Sequence, residues 1–244
     1  MYYYLPYFYK KIQNNNIYIL DFKQGDVNGD MIIDNVYLIG KKPHEAKSPF
    51  SDNITLIIQD RKTNVFTRIP LKENSGYNPT IFLGDFTGTK VSDVLISIDS
   101  GGSGGYAFYY IYSFINNTPK KLFDYEIFNQ KYKYNVIYKD YYEVEVKRKN
   151  KSEKYIIDIK YKGEEYLSEI YDENGKLKEP IEGWVNPIGG LYPIDFQRDE
   201  IYELYASQRI AGRYNADGLG YIQTSLKWNG KEFIPFFQTI GILG

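Results

Sequence analysis

The sequence predicts an all-β, antiparallel repeat protein, and three observations carry that prediction. Strand-like segments follow one another almost without interruption. A nine-residue acidic turn occurs in three copies between them, and 27 tyrosines and 14 phenylalanines make the chain unusually aromatic. Aromatic and β-branched side chains suit a pleated, half-buried surface, and a tyrosine hydroxyl can reach water from such a position.

The strand-like segments are 17–22, 36–39, 54–59, 65–69, 94–98, 107–114, 155–159 and 221–226. Asn174-Gly175 and Asn229-Gly230 read as type I′ hairpins, because both residue types tolerate positive φ. Lys162-Gly163, Asn78-Pro79 and Asn186-Pro187 read as further turns. Ile201, Leu204, Tyr205 and Ile210 lie near helical spacing after Asp199, a helix-cap residue. The repeat frame reads the same segment as a strand, and the frame is followed. The tyrosine-rich N-terminus and the run 233–237 are expected to pair and so remove an exposed sheet edge.

The clearest acidic turn is Asp26-Val27-Asn28-Gly29-Asp30-Met31-Ile32-Ile33-Asp34. Calcium takes six to eight oxygens, which a tight loop can offer from alternate positions and a carbonyl. Positions 1, 3, 5 and 9 are Asp26, Asn28, Asp30 and Asp34, with the Ile32 carbonyl at position 7. An EF-hand needs Gly at position 6 and Glu at position 12, but Met31 and Tyr37 stand there. Three carboxylates in nine residues repel unless a cation intervenes, so one calcium site is expected here. Asp85, Thr87, Thr89 and Asp93 form a second copy, and Asp195, Gln197, Asp199 and Glu203 a third; both are weaker metal candidates. Position 2 is apolar each time: Val27, Phe86 and Phe196.

Asp85 follows Asp26 by 59 residues and Asp195 follows Asp85 by 110, about twice the first interval. A fourth unit whose turn has lost its ligands fits near Asp140. Repeats of this order built from short strands point to a propeller. The expectation is one domain over 1–244, a small β-propeller of four or five blades with one degenerate repeat.

The Asp-x-Asn-x-Asp-x-x-x-Asp loop ahead of a β-branched strand resembles the calcium loop of the FG-GAP/VCBS repeat family. More loosely, the cysteine-free, tyrosine-rich chain is similar to small VCBS-repeat proteins of spore-forming bacteria, some described as spore coat proteins. The resemblance implies a non-catalytic, calcium-stabilised propeller, with a spore-surface role as one form of it.

Composition removes several function classes. Lys+Arg 30 against Asp+Glu 31 lacks the basic excess of a nucleic-acid protein. Absence of cysteine excludes disulfides, thiolate metal sites and a cysteine nucleophile. The N-terminus lacks a secretory pattern and no run of about 18 apolar residues offers a membrane span, so a cytoplasmic location is expected, with incorporation into a spore as the alternative. His44 is the single histidine. A Ser-His-Asp triad or a histidine-based zinc site would have to rest on it alone.

The loop Gly101, Gly102, Ser103, Gly104, Gly105 lacks the Lys-Ser/Thr of a phosphate cradle. It reads as a flexible rim loop, or as a ligand-facing loop whose backbone approaches sugar hydroxyls. Arg209, Arg213, Tyr214 and Asp217 could grip a carboxylate or sugar, but read first as a loop salt-bridge cluster. The expected function is therefore a non-catalytic structural or binding module for a protein or glycan surface. A carbohydrate-binding, lectin-like protein is the first alternative. A hydrolase using a carboxylate pair is the second, since 31 acids leave it open.

Overall fold

The computed structural model describes residues 16–43 and 48–242. The proposed N-terminal closing strand and His44 lie outside the described residues. Among the described residues strand takes 55% and helix 10%, which makes the class all-β, and the named strands pair antiparallel throughout.

The strands fall into consecutive meanders. The first is β1 (Ile17–Gly25), β2 (Asp34–Lys41), β3 (Phe50–Gln59) and β4 (Phe66–Pro70). The second is β5 (Gly76–Gly84), β6 (Asp93–Asp99), β7 (Ala107–Ser113) and β8 (Lys120–Asp124). The third is β9 (Tyr134–Lys139), β10 (Glu143–Arg148) and β11 (Lys154–Asp158). The fourth is β12 (Glu182–Ile194), β13 (Glu203–Ala211), β14 (Gly218–Trp228) and β15 (Phe233–Gly241). The Ile201–Ile210 region thus contains a strand, as the repeat frame predicts.

Two short seams join the meanders into larger sheets. Phe50 and Ser51 of β3 pair with Tyr77 and Gly76 of β5, and Ile137 and Val136 of β9 pair with Glu182 and Gly183 of β12. Asn78-Pro79 and Asn186-Pro187 sit at these seams. They are not turns, as the sequence suggested, but bulges inside β5 and β12, where the register shifts between Tyr77 and Thr80 and between Val185 and Ile188. Proline has no N–H to give a ladder, so it belongs at a bulge. The added bend lets one strand leave its first partner for a second.

Other turn expectations change in detail. At Asn229-Gly230 only the glycine has positive φ, whereas type I′ needs both residues there. Instead Asn229 Oδ1 accepts the N–H groups of Lys231 and Glu232. At Asn174-Gly175, again with positive φ at the glycine alone, the chain closes an isolated bridge between Tyr171 and Leu177. Gly163, at φ 85°, opens a helix, α2 (Glu164–Ile170), and the other helix, α1 (Tyr125–Lys131), starts where Asp124 accepts the Glu126 N–H. No helix among the described residues is long and apolar enough to cross a membrane.

Buried side chains from all four meanders form one contiguous cluster. β2, β6 and β7 are buried on both faces over most of their length, which explains their unbroken apolar runs in place of alternation. Phe86, from position 2 of the second acidic turn, is fully buried and meets Phe82, Tyr202 and Phe233 edge-on or tilted at 6.0–6.3 Å between ring centres.

Candidate functional site

The three acidic turns occupy the same place in their meanders, between the first and second strands. Their backbones repeat as well. Position 4 (Gly29, Gly88, Arg198) and position 6 (Met31, Lys90, Glu200) have positive φ in every copy. The side chain at position 1 locks that shape. Asp26 accepts the Gly29 and Met31 N–H groups at 2.7 and 2.8 Å, Asp85 those of Gly88 and Lys90 at 2.7 and 2.6 Å, and Asp195 those of Asp199 and Glu200 at 3.1 and 3.0 Å. The acid at position 9 reaches back to the amide of position 2: Asp34 to Val27, Asp93 to Phe86, and Glu203 to Phe196.

These bonds add a second tie to the one the sequence reading considered. Backbone N–H groups bond the carboxylates and offset part of their repulsion. Hydrogen bonds to a charged group contribute roughly 1.5–3 kcal/mol each. Asp30 accepts the Ile32 N–H and lies 3.6 Å from Lys62 Nζ, while Asn28 accepts the Asp30 N–H and donates to Asn117. Among the described residues no three or more histidine or acidic groups gather to hold a metal. Carboxylate and amide oxygens are nonetheless the hard donors that calcium takes, and an oxygen bonded by one N–H keeps a second lone pair.

Electrostatics differ between the copies. Burial raises the pKa of Asp34 against the amides of Arg61 and Val27, and the charges of Asp60 and Asp30 add to the rise. Burial pushes Asp93 up to about 6, opposed by the Phe86 amide and the Ser113 and Thr87 hydroxyls. For Asp195 burial acts in the same sense, but the amides of Glu200, Asp199, Arg198 and Gln197 outweigh it and leave the pKa low.

The turns are also linked to one another. Ser92, at position 8 of the second turn, donates its N–H to the carbonyl of Asp26 at 3.0 Å, and Tyr202, at position 8 of the third, donates to the carbonyl of Asp85 at 2.8 Å. Asp140 holds the corresponding place between β9 and β10, but its carboxylate is taken by Lys176 Nζ and the Leu177 N–H.

The glycine loop packs against β12. Gly104 is buried with its carbonyl bonded by Asn186 at 3.1 Å, while Gly101, Gly102 and Ser103 stay exposed and Gly105 rests on the backbone of Gly189. Asp217 collects a buried network: Lys162 Nζ at 2.9 Å, the Tyr166 hydroxyl at 2.7 Å and the Arg213 N–H at 2.9 Å. Burial would raise its pKa, but these donors outweigh it and hold it below the usual range. Arg213 itself pairs with Glu169 at 2.7 Å and lies over the Tyr166 ring. Arg209 bonds the Ala216 carbonyl and Tyr214 is exposed. Arg213 and Asp217 therefore belong to a salt-bridge cluster.

Sequence reasoning missed a recess beside the second and third turns. One lobe, of about 210 Å³, is lined by Thr87, Gln197, Asp199, Tyr202 and Trp228 among others. A second, of about 370 Å³, is lined by Thr87, Thr89, Ser113, Lys120 and Trp228 among others. Trp228 and Thr87 belong to both. The residues come from four separate hairpins, so no motif could announce them; the one signal is that tryptophan occurs twice in the chain.

Comparison with known proteins gives a family. The model of the YybI C-terminal domain matches residues 132–241. "Uncharacterized protein YybI" of Bacillus subtilis (strain 168) is 48% identical over 239 residues, covering 98% of this chain and 90% of that protein. No solved structure matches. These matches overturn the resemblance to FG-GAP/VCBS repeats, and with it the link to VCBS-type spore coat proteins. Nine residues of turn are a local solution that unrelated chains can share.

Proposed function

The chain belongs to the YybI family, and we propose that it is a non-catalytic binding scaffold, in which a repeated β framework presents its acidic-turn end to a protein or glycan surface. One observation carries this reading. At three equivalent turns the position 1 and position 9 acids are engaged by backbone amides, so they serve to shape the loops. For the finer architecture we infer a small propeller-like array with the β9–β11 meander as its degenerate blade. Four consecutive meanders support it; the link from Tyr202 to Asp85 means that the second and fourth units meet directly. The test of function is a panel of glycans and cell-surface proteins assayed for both binding and turnover. Binding without turnover is expected. Turnover lost on replacing a pair of carboxylates, with binding intact, would overturn the reading in favour of a hydrolase.

Calcium forms a second part of the proposal, as an added tie at Asp26, Asn28, Asp30, the Ile32 carbonyl and Asp34. Its support is the mutual repulsion of Asp34, Asp60 and Asp30, which a divalent cation would offset. Melting in chelator and in about 1 mM calcium tests it. At roughly 100 times the dissociation constant, mass action adds about 2.7 kcal/mol, or roughly 5–10 °C for a domain of this size. A rise of that kind, absent in Asp30→Ala, supports calcium; coincident melts leave the amides as the turn's ties.

A further inference from the structure

We propose that the two-lobed recess at Trp228 binds an acidic saccharide, a proposal that rests on the binding-scaffold reading and gives that scaffold a ligand class. The argument begins with the tryptophan. Its indole is half-buried, and it packs edge-on against Phe233, with ring centres 5.2 Å apart. Phe233 is held in turn by Phe86 at 6.3 Å and Phe123 at 6.1 Å. A braced, partly open aromatic ring is a platform for the apolar face of a sugar ring, and such sites add a few placed polar groups.

The polar groups are present. Trp184 gives its indole N–H to Asn186 at 2.8 Å, whereas the Trp228 N–H has no partner among the described residues. The hydroxyls of Thr87 and Thr89 lie 3.3 Å apart on the wall of the larger lobe. Thr87 turns its proton to the Asp85 and Asp93 carboxylates and keeps a lone pair to accept with, while Thr89 can donate and accept, as sugar hydroxyls require.

Charge selects the ligand class. Lys120 Nζ lies 6.0 Å from the centre of the Trp228 ring, and Lys227 lines the smaller lobe. Neither is in an ion pair among the described residues, while ten pairs engage other cations of the molecule. A free ammonium beside an open ring suits a carboxylate on a sugar, since charge-assisted hydrogen bonds are the stronger ones. Asp199 and Glu203 line the smaller lobe, so the sugar's carboxylate belongs in the larger lobe, whose lining holds Lys120 and no acid; a polyphosphate nucleotide, with charge enough to reach both lobes, suits the recess less well.

The experiment uses the full chain with Trp184→Phe, so that Trp228 is the sole indole reporter. Trigalacturonate and sialyllactose are titrated beside their neutral counterparts galactotriose and lactose. A saturable change in Trp228 emission is expected, with at least one acidic sugar binding roughly tenfold more tightly than its neutral partner, the scale of one charged hydrogen bond. Lys120→Gln should remove that preference, and Trp228→Ala should abolish binding by calorimetry, with far-ultraviolet circular dichroism showing both variants folded. Equal binding of acidic and neutral sugars would overturn the acidic selectivity. No response to any of the four sugars would overturn the site. If the chain then still binds a panel partner, undisturbed by Trp228→Ala, the scaffold reading stands and the recess proposal alone falls. If it binds nothing, both fall.

Discussion

Replacing Asp93 by Asn should raise stability at neutral pH, and the structure fixes how that gain depends on pH. Asp93 is 1% exposed. Its carboxyl is raised from 3.8 to about 6 by burial and, secondarily, by the charge of Asp85, against the pull of the Phe86 N–H and the Ser113 and Thr87 hydroxyls. A raised acid binds its proton more tightly folded than unfolded. Its contribution is fully present below the unfolded value near 3.8 and is lost as pH rises through about 6. At 1.36 kcal/mol per pH unit, the interval amounts to about 3 kcal/mol. Asparagine can accept the Phe86 N–H through its oxygen and donate to a hydroxyl, so the turn keeps its shape without the buried charge. Urea unfolding of both proteins from pH 3 to pH 7 should show the variant gaining on the parent as pH rises, by about 3 kcal/mol in total. Asp34 titrates in the same sense but is common to both and cancels. A difference that stays flat across this range would refute the assignment of a raised Asp93.

Phe86→Ala should cost about 3–5 kcal/mol by urea denaturation, because the fully buried ring meets three aromatic neighbours and leaves a cavity among them. Asp217→Asn should destabilise by about 3–5 kcal/mol, since it strands Lys162, whose side chain is 18% exposed. The low pKa of Asp217 sets the sign: its contribution is present above the ordinary carboxylate range and lost as pH falls through the folded value, so parent and variant should converge in acid. Met31→Gly should add roughly 0.5–1 kcal/mol, the left-handed strain relieved less the glycine entropy. Met31 has φ 64° and is 91% exposed, so no packing is lost, and a thermal melt reads the gain.

Much of the fold could be read from the sequence because strands carry a local signature. The eight segments named from apolar patterning all coincide with strands, three of them running one residue over, at Val65, Phe114 and Ile159, and the acidic turns mark where a first strand passes to a second. Features that depend on distant partners could not be read in that way. Asn78-Pro79 and Asn186-Pro187 carry the letters of turns, yet each bends a strand between two neighbours that the local sequence does not contain. The helices are one to two turns long, too short for a periodic stripe. Asp217 meets Lys162, Tyr166 and Tyr138 from 51 to 79 residues away, and the Trp228 recess joins four hairpins. A carboxylate that caps amides and one that ligates a cation occupy the same positions in a loop, so the letters of the turns do not separate the two roles.

The links between turns bear on how the molecule comes apart. The amides of Ser92 and Tyr202 are each held by the first residue of another turn, so their exchange with solvent deuterium reports a neighbour's integrity. Loosening the second turn should release Tyr202 from Asp85 and Ser92 from Asp26 together. Damage at two turns should therefore be non-additive in a double-mutant cycle, and the three turns should open as one cooperative unit. The ends of the meanders, from which such a scaffold would meet a partner, would then behave as a single rigid plate.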